Sequence, residues 1–380
     1  MKNIPFTFGK IVSGSDFTDR VEETIHLSNN FKALTNTAII SPRRWGKSSL
    51  VEHAIENIDK SEKIKFIRLN AFGCRTSTEF YAMYAKGVLR ELSTSIENLV
   101  SNAKEFFSKL APKVSLSDPV GQYDLNFGIG YDSNDVYTPD ILDIPQRIAQ
   151  KRKINIIVCI DEFQQIGEFK DSLSFQKTLR SVWQHHQNVA YCLYGSKRNM
   201  MSHIFSDYNS PFYKFGDIFF LPKIENNIWI DYISERFENT GKRISADKCS
   251  RIANLVENHP YYVQQLAQMV WLRSEEECTE EDIDEALNGI LNTLNMQYWI
   301  LADSLTEKQL GYLMAIADGE TNLSSENIIR KYRYGSSANI KNIKNTLEKK
   351  DLIDISGKKI TIQDPMLKLW LKQNYKIIFV

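Results

Sequence analysis

Residues 37–50 read Thr-Ala-Ile-Ile-Ser-Pro-Arg-Arg-Trp-Gly-Lys-Ser-Ser-Leu, and this stretch decides the fold. Thr37 to Ile40 make a short apolar run, and residues 41–48 nearly fit the pattern G-x-x-x-x-G-K-[ST]. Leu50, Val51, Ala54 and Ile55 then recur at helical spacing. Strand, loop and helix in that order are the context the pattern requires. In such a loop, consecutive backbone N–H groups at a helix N-terminus wrap a phosphate. Lys47 reaches the β- and γ-phosphates, and the Ser48 hydroxyl ligands Mg²⁺. The candidate nucleotide-binding residues are therefore Ser41, Pro42, Arg43, Arg44, Trp45, Gly46, Lys47, Ser48 and Ser49, with Gly46 permitting close backbone approach. Ser41 stands where the pattern has glycine.

Downstream, Ile154 to Ile160 (INIIVCI) is apolar on both faces, as a central parallel strand covered by helices must be. It runs into Asp161 and Glu162, which fall at the C-terminal strand edge where open α/β sheets bind ligands. Asp161 is the candidate Mg²⁺ carboxylate and Glu162 the candidate base that polarises an attacking water. Residues 189–194 (VAYCLY) end on Gly195-Ser196 at the same edge. Ser196 fits two roles, a hydrogen bond to the water or γ-phosphate and a helix cap. No N-K-x-D signature for guanine occurs, so adenine is the favoured base.

Further outward, residues 18–34 and 173–186 carry helical patterns, and a single helix is predicted from Thr138 to about Lys151. Alternating strands and helices predict a parallel sheet covered on both faces. Residues 93–137 read as an insertion, with a helix around Lys104 to Leu110 and a hairpin-like alternation in QYDLNFGIGYD. From Asn226 helices dominate. The tail from Leu305 reads as three helices and a two-strand hairpin turning at Ser356-Gly357. The expected domains are an α/β core at 1–224, a helical domain at 225–303 and a winged helix at 304–380.

Length and charge agree with this division. The chain has 380 residues, enough for two or three domains, and its 47 Lys+Arg balance 47 Asp+Glu. A net charge of zero removes any global field that would gather polyanions, so a nucleic-acid surface has to be a local patch. Cys74, Cys159, Cys192, Cys249 and Cys278 form no C-x-x-C pair, and the histidines show no metal-ligand spacing. Reduced thiols, a cytoplasmic location and no membrane association are the expectations. From Ser304 onward thirteen Lys/Arg face eight Asp/Glu. Ser336 to Lys350 carries Ile340, Ile343 and Leu347 on one stripe. Asn339, Lys341, Asn342, Lys344 and Asn345 lie opposite, and the wing adds Lys358 and Lys359. Duplex DNA and a protein partner are both candidate ligands of this module.

With these residues placed, the chain resembles the AAA+/STAND class of P-loop ATPases, and within it the archaeal ATPase-like family. The motifs that carry the resemblance are Phe17-Thr-Asp-Arg20, SPRRWGKSSL, IDEFQQI, GSKRNMMSHIFSDYNSPFY and Asn258-His-Pro-Tyr-Tyr262. It implies ATP or ADP as ligand, a helical lid, a terminal winged helix, and Arg20, His259 and Pro260 beside the nucleotide. Homo-oligomeric assembly is a further expectation. Tyr213-Lys-Phe-Gly216 lacks the arginine that family members often carry there. Lys214 can substitute only as a point charge. These readings make the chain a nucleotide-dependent switch with slow Mg²⁺-dependent hydrolysis. The alternatives are an ATP-modulated DNA-binding regulator and a nucleotide-binding scaffold without turnover.

Overall fold

The computed structural model describes residues 4–12, 14–59, 61–93, 114–117, 124–127, 138–357 and 359–375. They divide into two compact units, Arg20–Pro222 and a second made of Met1–Asp19 with Lys223–Val380.

The first unit is an α/β sandwich. In chain order its elements are α1 (Val21–Lys32), β1 (Thr37–Ile40), α2 (Lys47–Glu56), β2 (Ile64–Asn70), α3 (Ser77–Leu92), β3 (Val114–Ser117) and β4 (Asp124–Phe127). They continue with α4 (Thr138–Leu142), α5 (Ile144–Arg152), β5 (Asn155–Asp161), α6 (Ser172–Trp183), β6 (Val189–Gly195), α7 (Arg198–Ser206) and β7 (Asp217–Phe220). Five strands form one sheet in the order β2-β5-β6-β1-β7, every pair parallel. Burial explains the arrangement. β6 is buried throughout and β5 at all but its two ends, so helices must cover both faces. Trp183 stacks on Tyr191 at 4.0 Å within that cover.

The predicted helix from Thr138 to about Lys151 is two helices, parted at Asp143. Pro145 in the first turn of α5 has no N–H to continue the ladder into α4. The hairpin expected around residue 124 is present as β3 paired antiparallel with β4. The helix expected around Lys104, the rest of the insertion and Lys358 of the wing lie outside the described residues.

Strand register then places the site. Ile40 at the end of β1 pairs with Gly195 of β6, and Leu193 of β6 pairs with Ile160 of β5. The residues that follow these strand ends (Ser41, Ser196, Asp161 and Glu162) therefore share one edge of the sheet.

The second unit contains α8 (Asn226–Glu238), α9 (Ala246–Leu255), α10 (Pro260–Arg273), α11 (Glu280–Asp303), α12 (Glu307–Ala317), α13 (Glu326–Lys331) and α14 (Ser337–Lys349). The hairpin β8 (Ile353–Ser356) with β9 (Lys359–Ile362) and α15 (Pro365–Asn374) complete it. Capping boxes start α11 and α12: Thr279 with Asp282, and Thr306 with Gln309. One hydrophobic core runs from Trp229 through Tyr298 to Trp370, so α8–α11 and the winged-helix elements pack as a continuous body. Phe6 from the N-terminal segment packs on Tyr232 and Phe237 of α8.

Two interactions bind α15 to that body. Asp364 caps α15 through Oδ1, which accepts from Met366 N and Leu367 N. Its Oδ2 accepts from Tyr262 of α10 at 2.9 Å and Tyr298 of α11 at 3.0 Å. One turn on, Lys368 pairs with Glu257 at 2.6 Å. All five cysteines are buried and free, and no helix among the described residues is long and apolar enough to cross a membrane.

Candidate nucleotide site

The loop between β1 and α2 turns through two left-handed residues, Arg44 (φ 61°) and Gly46 (φ 88°). Glycine tolerates that conformation, and nothing lies within 4 Å of where a Cβ on Gly46 would stand. No side chain caps α2 and no acidic residue occupies its first turn, so its N-terminus keeps its full attraction for an anion. Ser41 is buried, its hydroxyl donating to the Pro42 carbonyl at 3.2 Å. Pro42 and Ser49 are buried, Arg43 and Arg44 exposed, and Trp45 half-buried.

Lys47 is only 6% exposed. Its Nζ donates to the carbonyls of Pro42 at 3.1 Å and Ser41 at 3.5 Å. Burial pulls its ammonium from the ordinary 10.5 down to about 8, against the opposing attraction of Glu162 and Asp161. A buried ammonium with two neutral carbonyls for partners is poised to gain from an anion placed beside it.

The loop meets the acidic strand end directly. Ser48 Oγ donates to Asp161 Oδ2 at 3.0 Å, and the Glu162 N–H donates to Asp161 Oδ1 at 2.7 Å. Burial raises the Asp161 carboxyl above its usual range, while these two donors and Lys47 pull it back. Glu162 has left-handed backbone, φ 53° and ψ 36°. Its Oε2 accepts from Ser196 Oγ at 2.9 Å and from Gln164 Nε2. The structure thus brings Ser41, Lys47, Ser48, Asp161, Glu162 and Ser196 together. The cap suggested for Ser196 is absent: Lys197 occupies the N-cap position of α7 and no side chain caps that helix.

The remaining candidates are placed differently. Arg20 is buried and left-handed (φ 67°). Its guanidinium donates to the carbonyls of Pro222 at 2.7 Å and Trp45 at 3.4 Å, and it pairs with Glu23 at 3.1 Å. Arg20 thereby braces the phosphate loop from behind. His259 and Pro260 belong to the second unit, where His259 occupies the N-cap position of α10 and its ring lies 5.0 Å from Tyr262. Arg198 lies over the Phe220 ring at 5.8 Å, and Lys214 over Tyr213 at 5.4 Å.

Comparison with known proteins bears on the fold. A family model described as a probable winged helix domain matches residues 296–373. Among solved structures, the chain is similar to the Walker-type ATPase of Pyrococcus abyssi, with a TM-score of 0.64 and 16% identity over 97% of this chain and 99% of that one. It is also similar to the ORC2 protein of Aeropyrum pernix in its ADPNP–ADP complexes, with a TM-score of 0.60 and 13% identity over 98% and 97% of the two chains. The fold is that of an AAA+ P-loop ATPase with a C-terminal winged helix. No curated protein matches the sequence.

Two residues of this candidate site escape sequence reasoning. Gln164 is 2% exposed and holds Glu162, yet nothing about a glutamine two positions beyond an acidic pair announces it. Gly195 reads as a plain strand end. In the structure the Gln164 Oε1 atom lies 1.9 Å from where a Cβ on Gly195 would be, so any side chain there would displace the amide.

Proposed function

We propose that this protein binds ATP at the loop around Lys47 and hydrolyses it with Mg²⁺, acting as a nucleotide-dependent switch. The observation that carries the reading is the junction of the loop with the acidic strand end: Ser48 bonded to Asp161, and Glu162 oriented beside them by Ser196. The ORC2 neighbour, whose structure holds ADPNP and ADP, supports adenine nucleotides as the ligand class.

The donor set fits Mg²⁺. A hydroxyl and a carboxylate oxygen, 3.0 Å apart, suit a hard cation that takes its remaining ligands from phosphate and water. Ser48 and Asp161 would hold the ion, which would supply positive charge to offset the charge that develops during transfer. The chain's own residues do the rest. The N-terminus of α2 and Lys47 hold the β- and γ-phosphates, Asp161 holds the Ser48 hydroxyl in place, and Glu162 accepts the proton of the attacking water. His259 and Pro260, at the start of α10, stay candidates for the nucleotide on the family resemblance alone. Arg20 acts on the site through the Trp45 carbonyl.

The test is phosphate release by Glu162→Gln. Hydrolysis is expected to fall at least about 100-fold, as loss of a positioned base does, while ATP affinity measured by calorimetry stays within about twofold. Unchanged turnover removes Glu162 from its role, and absence of ATP binding by the folded wild-type protein removes the whole reading.

A second reading adds duplex DNA as a partner. It rests on the solvent face of α14, where Lys341, Asn342, Asn345 and Lys349 are exposed while Ile340, Ile343 and Leu347 anchor the helix. A protein partner docked on that face, or assembly into a homo-oligomer, is the competing output.

A further inference from the structure

Two hydrogen bonds converge on one oxygen of Glu162, and among the described residues none reaches the other. Ser196 and Gln164 both donate to Oε2, leaving Oε1 without a donor. Ser196 follows directly from β6. Gln164 reaches back from the short 3₁₀ helix Phe163–Glu168 that begins at Glu162.

Gln164 is held at some cost. Its amide is buried, and its own Oε1 has no hydrogen-bond partner, which leaves a desolvated acceptor uncompensated. The space for that oxygen exists because position 195 is glycine. A Cβ there would stand 1.9 Å from Gln164 Oε1, 2.9 Å from Met201 Sδ and 3.1 Å from Gln164 Cδ. Methionine sulfur ends a flexible chain and can move; the amide is fixed by its bond to Glu162. Glu162 also sits in left-handed backbone, a conformation unfavourable for a residue with a Cβ. An unsatisfied amide oxygen, a glycine that leaves the amide its space and a left-handed glutamate all serve one carboxylate oxygen. A packing role alone would be met better by leucine at 164, which leaves no polar atom unsatisfied.

Resting on the ATPase reading above, we propose that Gln164 is a positioning residue for Glu162. With Ser196 it pins Oε2, so that Oε1 is the acceptor presented to the attacking water, and Gly195 keeps the amide's space open. In the reaction the water oxygen bonds to the γ-phosphorus and its proton passes to Oε1. The bond from the γ-phosphorus to the bridging oxygen breaks, and its electron pair stays on ADP. Glu162 then releases the proton to solvent. A carboxylate free to rotate about its last torsion spends part of its time with neither oxygen on the water, so losing the clamp lowers kcat without touching phosphate binding.

Four proteins test this: wild type, Gln164→Ala, Gly195→Ala and the double variant Gln164→Ala with Gly195→Ala. ATP affinity, KM and kcat are measured for each. Both single variants are expected to lose about 10- to 100-fold in kcat with KM and ATP affinity within about twofold, which also reports an intact fold. The double variant is expected to be no slower than the slower single one, because Gly195 acts only through the amide. Wild-type kcat in Gln164→Ala, alongside an inactive Glu162→Gln, overturns the inference and leaves the ATPase reading standing. Multiplying losses in the double variant overturn the link between the two positions. If the wild type binds ATP but shows no hydrolysis, the turnover reading fails instead. A crystal structure of Gln164→Ala then decides the clamp: an unmoved Glu162 carboxylate refutes it, and a rotated one upholds it.

Discussion

Replacing Asp364 by alanine removes four hydrogen bonds with one side chain. Oδ1 caps α15 at two N–H groups, and Oδ2 accepts from the hydroxyls of Tyr262 and Tyr298, both buried. Loss of an N-cap costs about 1 kcal/mol. Each tyrosine hydroxyl left without its charged acceptor adds about 1–2 kcal/mol, toward the lower end if water enters the gap. The sum is roughly 3–5 kcal/mol. Asp364→Asn keeps an acceptor for the cap but gives up the charge facing the hydroxyls, and is expected to lose roughly half as much. Trp370 makes the assay specific. It packs against Trp299 at 5.1 Å and donates from its ring N–H to Asn295 at 2.7 Å, so its emission reports on α15 against α11. Urea unfolding followed by tryptophan fluorescence, with limited proteolysis near residue 364, measures the shift. A loss below about 0.5 kcal/mol in Asp364→Ala, the scatter expected of neutral surface changes, refutes the reasoning. Equal losses in the two variants refute the assignment of the charge.

Lys47 gives a prediction with opposite signs in the free and bound protein. Its folded value of about 8 lies below the ordinary 10.5, so the unfolded chain binds more protons in that window. Nucleotide-free stability should rise by about 3 kcal/mol between pH 8 and 10.5. ATP affinity, which uses the ammonium, should weaken as pH rises above 8. Parallel pH series of urea midpoints and calorimetric Kd check both, and Lys47→Met should flatten both profiles. On the winged helix, Lys341→Ala with Lys344→Ala should weaken duplex binding and reduce its salt slope by about 2. A gel-shift series from 50 to 300 mM salt measures this, and wild-type protein that binds no duplex at low salt removes the DNA reading.

The parts of the site legible in the sequence are those set by local pattern. A buried strand announces itself by apolar residues on both faces, so the ends of β1, β5 and β6 were readable, and with them Lys47, Ser48, Asp161, Glu162 and Ser196 at one sheet edge. Register in a parallel sheet then brings them together without further information. Contacts that join distant stretches were not readable. Arg20 meets Pro222 across 202 positions and Tyr262 meets Asp364 across 102, and no periodicity encodes either. Arg20 is expected beside the nucleotide only from the resemblance of Phe17-Thr-Asp-Arg20 to a family motif; the main-chain carbonyls of Pro222 and Trp45 that its guanidinium meets leave no trace in side-chain identity. The single helix expected before β5 failed at Pro145, where a missing N–H outweighed an otherwise helical pattern. Gln164 and Gly195 were invisible because each makes sense only in the presence of the other.

The continuous core of the second unit has a mechanical consequence. No pliant tether separates α8–α11 from the winged helix; Tyr298, Ala302, Trp370 and Leu371 are interior to both. Detaching one from the other would expose those side chains to water, an event on the scale of partial unfolding rather than of hinge motion. A force applied to α14 is therefore passed to α10 and α11 through packed side chains rather than absorbed by a flexible joint.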